Sequence, residues 1–129
     1  MNILKVLVGS RAHGTATPDS DYDYRAVFLH PTSKLLMLGE KPPNTSWVEA
    51  PKDFEGGKID DTAWELGHFL NLATHCNPTI LEVLTAPIIE STDEGIDLRN
   101  LLPYLWNPDS VKRAFCGYAH NQRKKLLDN

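Results

Sequence analysis

Two neighbouring stretches decide the fold of this chain, GSRAHG at residues 9–14 and PDSDYDY at residues 18–24. An apolar, β-branched run, Ile3–Val8, precedes the first stretch and predicts a buried strand that ends at Gly9. Strand character resumes over Tyr22–Leu29, where apolar and aromatic residues predict a second strand. The residues between these runs are rich in turn formers, so the pattern predicts a strand, a loop and a strand in succession.

Two aspartates, Asp21 and Asp23, lie two residues apart at the start of the second predicted strand. Because side chains alternate between the faces of a strand, both carboxylates leave the same face. Carboxylates this close repel each other, and a hard divalent cation such as Mg²⁺ removes the conflict. Gly9 and Ser10 allow a tight turn whose amide and hydroxyl groups can bind a small anion. Phosphates beside a carboxylate-bound metal form the arrangement that nucleotidyl transfer needs.

The rest of the chain predicts mainly helices. Prolines and glycines between His30 and Gly57 leave room only for short elements, at Ser33–Leu38 and Ser46–Glu49. After this region we expect a short strand at Lys58–Asp60 and a helix from Trp64 with a capping box of Thr62 and Glu65. The further helices expected are one from Asn77-Pro78 to Thr85, one capped by Ser91 or Thr92, and a terminal helix from Val111 to Leu127. Early strands followed by helices indicate an α+β domain.

Composition and charge exclude several classes of protein. The 129 residues suffice for one compact domain, so we expect a single domain over residues 1–129, either a minimal form or one truncated at the C-terminus. No apolar run approaches the roughly 18–20 residues that span a bilayer, and Lys5 interrupts the N-terminal run, which we interpret as a strand rather than a signal peptide. The net charge of −4 argues against a protein that coats DNA non-specifically. Cys76 and Cys116 form no CxxC pair, and we expect free thiols in a reducing cytoplasm.

The spacing of these motifs resembles a known superfamily, the DNA polymerase beta-like nucleotidyltransferases. The signature of that superfamily is a hydrophobic residue, Gly and Gly or Ser, a spacer, and then two acidic residues that alternate with hydrophobic ones. The chain is most similar to the RNA-repair-associated branch of bacteria and phages, through residues 9–14, residues 19–23 and the NPTILE stretch at residues 77–82. The similarity runs from about Ile3 to about Gln122.

This resemblance implies a mixed β-sheet backed by helices, the polymerase beta-like catalytic fold. It also implies two Mg²⁺ ions, with Mn²⁺ as an alternative, and a nucleoside triphosphate donor such as ATP. The reaction would transfer a nucleoside monophosphate to a hydroxyl acceptor and release pyrophosphate. An RNA or tRNA 3′ end is the expected acceptor, and a protein hydroxyl or a small molecule stays open.

The resemblance further implies a role for each residue of the signature. Gly9 and Ser10 would bind the β- and γ-phosphates of the donor. Arg11 is an additional candidate for a phosphate contact. Asp21 and Asp23 would bind both metal ions.

The third metal carboxylate of the superfamily lies on a later strand. Asp60 is the best match, because Ile59-Asp60 precedes a helix that would begin with Trp64-Glu65-Leu66, as in this branch. Asp61 is the alternative. Asp60 would bind the catalytic metal and help to remove the proton of the attacking hydroxyl, which is the work of a general base.

Residues around this signature receive simpler interpretations. Arg25 shares the face of the two aspartates, which favours an ion pair with one of them, and His13 is interpreted as a packing residue of the loop. Asn77 and Glu82, within the NPTILE stretch, are explained by a helix cap and a solvent-facing glutamate. Trp47 is a candidate for stacking on a nucleobase.

Two other functions remain compatible with the sequence. A minimal nucleotidyltransferase can act as an antitoxin that adenylylates a partner toxin, and its signature has the same glycine-serine and acidic pairs. A phage protein could also keep the fold and bind a nucleotide or a partner without turnover. Three clustered acidic candidates argue against this last function, because a scaffold gains nothing from concentrated negative charge.

Overall fold

The structure, a computed structural model, describes residues 1–16, 21–51 and 58–127. The predicted turn formers at residues 17–20, together with Gly56 and Gly57, lie outside the described residues. The described part of the chain contains a sheet built from β1 (Asn2–Val8), β2 (Tyr22–Phe28), β3 (Thr45–Pro51), β4 (Lys58–Glu65) and β5 (Ile88–Ser91). The strand order is β3-β4-β2-β1-β5, and β2 pairs with β4 in parallel while the other neighbours are antiparallel.

Several helices pack on one face of this mixed sheet, which we call the helix face. The described helices are α1 (Thr32–Leu35), α2 (Leu66–Thr74), α3 (Pro78–Thr85), α4 (Asp93–Arg99), α5 (Leu102–Leu105) and α6 (Pro108–Leu127). Leu4 and Val6 of β1 and Val27 of β2 are buried in one core with Phe69 of α2 and Val83 of α3. Removal of these apolar side chains from water stabilises the layer of helices on the sheet. The predicted α+β class and the mixed sheet backed by helices are confirmed.

Strand β4 is longer than the sequence predicts, and the predicted capping box is wrong. Thr62 lies within the strand, and α2 begins at Leu66 rather than at Trp64. The N-cap is Glu65 itself, whose carboxylate accepts the backbone N–H of His68 at 3.1 Å. The strand continues because it pairs in parallel with β2 as far as Glu65. This pairing places Trp64 in the core, and an aromatic side chain is favourable at such a position of a strand.

Helices α3 and α4 begin where the sequence predicts, whereas α6 begins at Pro108, earlier than the expected Val111. Asn77 caps α3, with its Oδ1 accepting the N–H of Thr79 at 3.0 Å, and Pro78 occupies the first helical position. Thr92, rather than Ser91, caps α4. None of the helices in the described ranges combines the length and the apolar character needed to cross a lipid bilayer.

Candidate active site

The parallel pairing of β2 with β4 brings two of the predicted carboxylates together. Asp23 and Asp60 are direct cross-strand partners. On its other side Asp23 is paired with Val8, which is buried in the core under the helices. Because cross-strand partners share a face, both carboxylates lie on the helix face, near the end of β1. Both residues are half-buried, whereas Asp21, immediately before β2, is exposed.

The alternative third carboxylate, Asp61, lies on the opposite face of the sheet. Its Oδ2 is 3.3 Å from the Nζ of Lys5, and the same ammonium group lies 4.6 Å from the ring centroid of Tyr24. The alternation of side chains along β4 therefore separates the two neighbouring aspartates. The structure brings Asp60, and not Asp61, to Asp23.

The predicted phosphate-binding turn follows β1 directly. The carbonyl of Gly9 accepts the N–H groups of Ala12 and His13 at 3.1 and 3.2 Å, and the carbonyl of Ser10 accepts that of Thr15 at 3.1 Å. Gly9 has a φ of 75°, and a Cβ at this position would overlap the Oδ2 of Asp23. Glycine is therefore needed here both for the backbone conformation and for the close approach of the turn to a carboxylate.

Negative charge is concentrated around Asp23. Burial raises the pKa of its carboxyl group above the ordinary value, and the charges of Asp60, Asp21 and Glu82 raise it further, against the opposing effect of Arg25. A bound cation would relieve this repulsion. Within the described ranges, no three His, Cys, Asp or Glu side chains are gathered into a complete metal cage. Mg²⁺, however, is commonly bound by one or two carboxylates, water and substrate phosphates, and this donor set fits it.

Two side chains contact the carboxylate of Asp60. The Nε1 of Trp47 donates a hydrogen bond to Asp60 Oδ1 at 2.8 Å, and the Nη1 of Arg25 is 3.8 Å from the same oxygen. The predicted ion pair of Arg25 is thus present. Trp47 lies in strand β3, which includes the short element expected at Ser46–Glu49, and its partner in the register is Thr62.

Arg11 occupies a different position from the carboxylate pair. Its guanidinium carbon lies 3.8 Å from the ring centroid of Tyr22, which is stacked on Tyr24 with a centroid distance of 6.2 Å. Tyr22 leaves β2 on the face opposite to Asp23, because neighbouring side chains of a strand alternate. A phosphate contact by Arg11 stays a prediction.

Glu82 is a charged residue to which the sequence interpretation assigned no role in the site. It leaves α3 toward the turn, where its Oε1 is 3.4 Å from the Nε2 of His13, and its charge acts on Asp23. His13 thereby packs the loop against α3, as the sequence suggested. The match of NPTILE at residues 77–82 to the RNA-repair branch was the signal that could have identified Glu82.

A large groove begins at this contact. His13 and Glu82 line one part of it, and apolar side chains such as Leu81, Leu102 and Phe115, from α3, α5 and α6, line the rest. Its volume is about 860 Å³. Sites for small organic ligands commonly have volumes of about 300–1,000 Å³ and a mainly apolar lining with a few polar groups. The groove therefore has the size and chemistry of a ligand site beside His13 and Glu82.

Two uncharacterized proteins are among the relatives of this chain. The chain is 27% identical to an uncharacterized 38.9 kDa protein from the nrdC-mobD intergenic region of Enterobacteria phage T4, over 95% of this chain and 38% of the phage protein. It is 28% identical to the uncharacterized protein YcgL of Bacillus subtilis (strain 168), over 92% of this chain and 44% of that protein. The chain thus spans less than half the length of these relatives.

A family model described as the RNA repair pathway DNA polymerase beta family matches residues 2–129. This range spans the turn at Gly9, the strands that carry Asp23 and Asp60, and the α3 stretch at residues 77–82. The resemblance inferred from the motifs is confirmed, and the chain belongs to the RNA repair pathway DNA polymerase beta family.

Proposed function

We propose that the chain is a Mg²⁺-dependent nucleotidyltransferase that moves a nucleoside monophosphate from a nucleoside triphosphate to the 3′ hydroxyl of RNA. One observation carries this proposal, the pairing of Asp23 with Asp60 beside the Gly9 turn. Membership of a family associated with RNA repair makes an RNA end the favoured acceptor. A tRNA end is one form of that acceptor.

Each residue of the site has a place in the reaction. The turn at Gly9 and Ser10 binds the β- and γ-phosphates. Asp21 and Asp23, together with Asp60, would hold the Mg²⁺ ions. When bound, Mg²⁺ neutralises the charge that develops on the transferred phosphoryl group and on the leaving pyrophosphate. Asp60 accepts the proton of the attacking hydroxyl as a bond forms to the α-phosphorus and the bond to pyrophosphate breaks.

The groove next to Glu82 gives the donor nucleotide a place for its nucleoside. It starts at His13, in the loop that carries the phosphate turn, and runs between helices whose side chains are largely apolar. A nucleotide with its phosphates on Gly9 and Ser10 can extend its sugar and base into this groove. ATP is one such donor.

Incubation of the purified chain with each α-labelled nucleoside triphosphate, Mg²⁺, and total cellular RNA or protein tests the proposal. We expect the label at the 3′ terminus of RNA. Addition of EDTA should abolish the labelling. Label in protein instead would show an antitoxin-like adenylylating enzyme. Calorimetric binding of ATP and Mg²⁺ without any pyrophosphate release would contradict the enzymatic proposal and show a binding protein.

The substitution Gly9→Ala tests the close approach of the turn to Asp23. A methyl group at this position would overlap Asp23 Oδ2, and the displaced carboxylate should lower incorporation by about 100-fold, as misplacement by about 1 Å can. Gly14→Ala is the matched control, because Gly14 has a φ of 74° and a Cβ there would meet no described atom within 4 Å.

Both glycine variants carry the strain of a positive φ, about 1–3 kcal/mol in unfolding free energy. Only Gly9→Ala should also lose activity. Thermal melting and initial incorporation rates separate the two effects. Equal loss of activity in both variants would show that backbone strain, and not the contact with Asp23, explains the requirement for glycine.

A further inference from the structure

Trp47 combines exposure with a fixed orientation. Its side chain is 64% exposed, although it lies in a strand beside the candidate catalytic carboxylate. The hydrogen bond of 2.8 Å from its Nε1 to Asp60 Oδ1 ties the indole to that carboxylate. An indole held at its edge and open on its surface offers a flat apolar area to a planar ligand.

The order of the strands gives the side of the site on which Trp47 lies. Across the helix face the order is Trp47 on β3, Asp60 on β4, Asp23 on β2, and the Gly9 turn at the end of β1. In nucleotidyl transfer the attacking and leaving oxygens lie roughly in line on opposite sides of the phosphorus. If the phosphates that leave are bound at the turn, the attacking hydroxyl enters from the side of Asp60.

We propose that the indole of Trp47 stacks on the terminal base of the RNA acceptor, while its N–H keeps Asp60 oriented toward the 3′ hydroxyl. This inference rests on the proposed function and assigns the acceptor side of the site. Stacking on an aromatic side chain tolerates any base, because every base has a π-face. Trp47 therefore contacts the RNA end without selecting the sequence of the RNA. It also positions the carboxylate of Asp60.

Two substitutions separate the stacking role from the positioning role. Trp47→Ala removes the ring and the N–H, and we expect the KM for a single-stranded RNA oligonucleotide to rise about 10-fold or more, the effect of losing one stacking partner. Trp47→Phe keeps an aromatic face and loses the N–H, so the KM for RNA should stay within about 3-fold, while kcat falls. Neither variant should change the KM for the nucleoside triphosphate.

Val48→Ala is the matched control, because Val48 is 56% exposed on the same strand and leaves it on the opposite face. It should leave both KM values and kcat unchanged. A Trp47→Ala variant with unchanged KM for RNA would overturn the stacking proposal. A rise confined to the KM for the triphosphate would also overturn it, because the stacked base would then belong to the donor.

A second measurement keeps this test independent of turnover. Fluorescence anisotropy of a labelled RNA oligonucleotide reports its affinity for the wild-type chain, Trp47→Ala and Trp47→Phe without any transfer reaction. We expect weaker binding for the alanine variant alone. If wild type binds this RNA and shows no incorporation, the proposed function fails while the stacking contact survives. Equal affinity of wild type and the alanine variant, with circular dichroism showing both folded, contradicts the stacking contact itself.

Discussion

Replacement of Asp23 by asparagine is expected to lower Mg²⁺-dependent nucleotide incorporation by at least about 1,000-fold, to the background of the assay. Asp23 is the carboxylate at the centre of the site, between Asp60 on β4 and the Gly9 turn. Its amide replacement has nearly the same shape and cannot neutralise a divalent cation. The loss corresponds to the several kcal/mol of charge stabilisation that a bound metal contributes to such a transition state.

The same variant should fold at least as stably as the wild-type chain in the absence of Mg²⁺. Because the pKa of Asp23 is raised in the folded state by burial and by neighbouring carboxylates, ionisation favours the unfolded chain. This cost is present above the folded-state pKa, so a neutral asparagine removes it at pH 7. Thermal melting with EDTA measures the stability, and the labelled-nucleotide assay measures the rate. A variant that incorporates nucleotide at the normal rate would contradict the proposed metal site.

The second large effect is expected from Asp60→Asn, with Asp61→Asn as its matched control. These neighbours have the same side chain and leave the same strand on opposite faces. Loss of the general base should lower kcat by about 100- to 10,000-fold. Loss of Asp61 removes its ion pair with Lys5 on the other face, which is worth up to about 1 kcal/mol of stability at a partly exposed site.

The comparison of the two variants is made under one set of conditions, with saturating triphosphate and RNA and with Mg²⁺. Activity of Asp61→Asn within about 3-fold of wild type is the expected control result. The reverse outcome is an inactive Asp61→Asn variant and an active Asp60→Asn variant. It would assign the third carboxylate to Asp61 and contradict the proposed role of Asp60.

Local patterns predicted the first half of the site. The continuous apolar run before Gly9 and the alternation around Asp21 and Asp23 are both strand signals, and strands formed where they were expected. The cap at Asn77 was also predictable, since an N-cap and the following Pro78 act within one turn of the chain. These features depend on neighbours in sequence, which is why a single sequence reveals them.

The end of β4 depends on distant neighbours and was mispredicted. Thr62 and Glu65 have the spacing of a capping box, but the parallel ladder with Arg25–Phe28 extends the strand through both residues. Pairing energy of this kind has no local signature, because the partner strand lies more than thirty residues earlier in the chain. The tertiary pairing of β4 with β2 therefore outweighed the local preference of Thr62 and Glu65 for a helix start.

The second half of the site could not be predicted for a similar reason. The charge of Glu82 acts on Asp23 because α3 packs over the sheet, and Trp47 reaches Asp60 through the antiparallel register of β3 with β4. Sequence reasoning could name both residues, one as part of a matched stretch and the other as an exposed aromatic candidate. Their positions beside the carboxylates depend on tertiary packing and strand register, which have no local signal in the sequence.

Strand β4 carries both the proposed general base and a core residue on the same face. Asp60 and Trp64 are four positions apart, so an even spacing turns them to the helix face together, and Trp64 is buried against Phe69. A slip of one position would expose the indole to water and at the same time present Asp61 in place of Asp60. Burial of Trp64 therefore selects the register of β4. Chains that bury this indole are the ones in which the carboxylate of Asp60 faces the substrate.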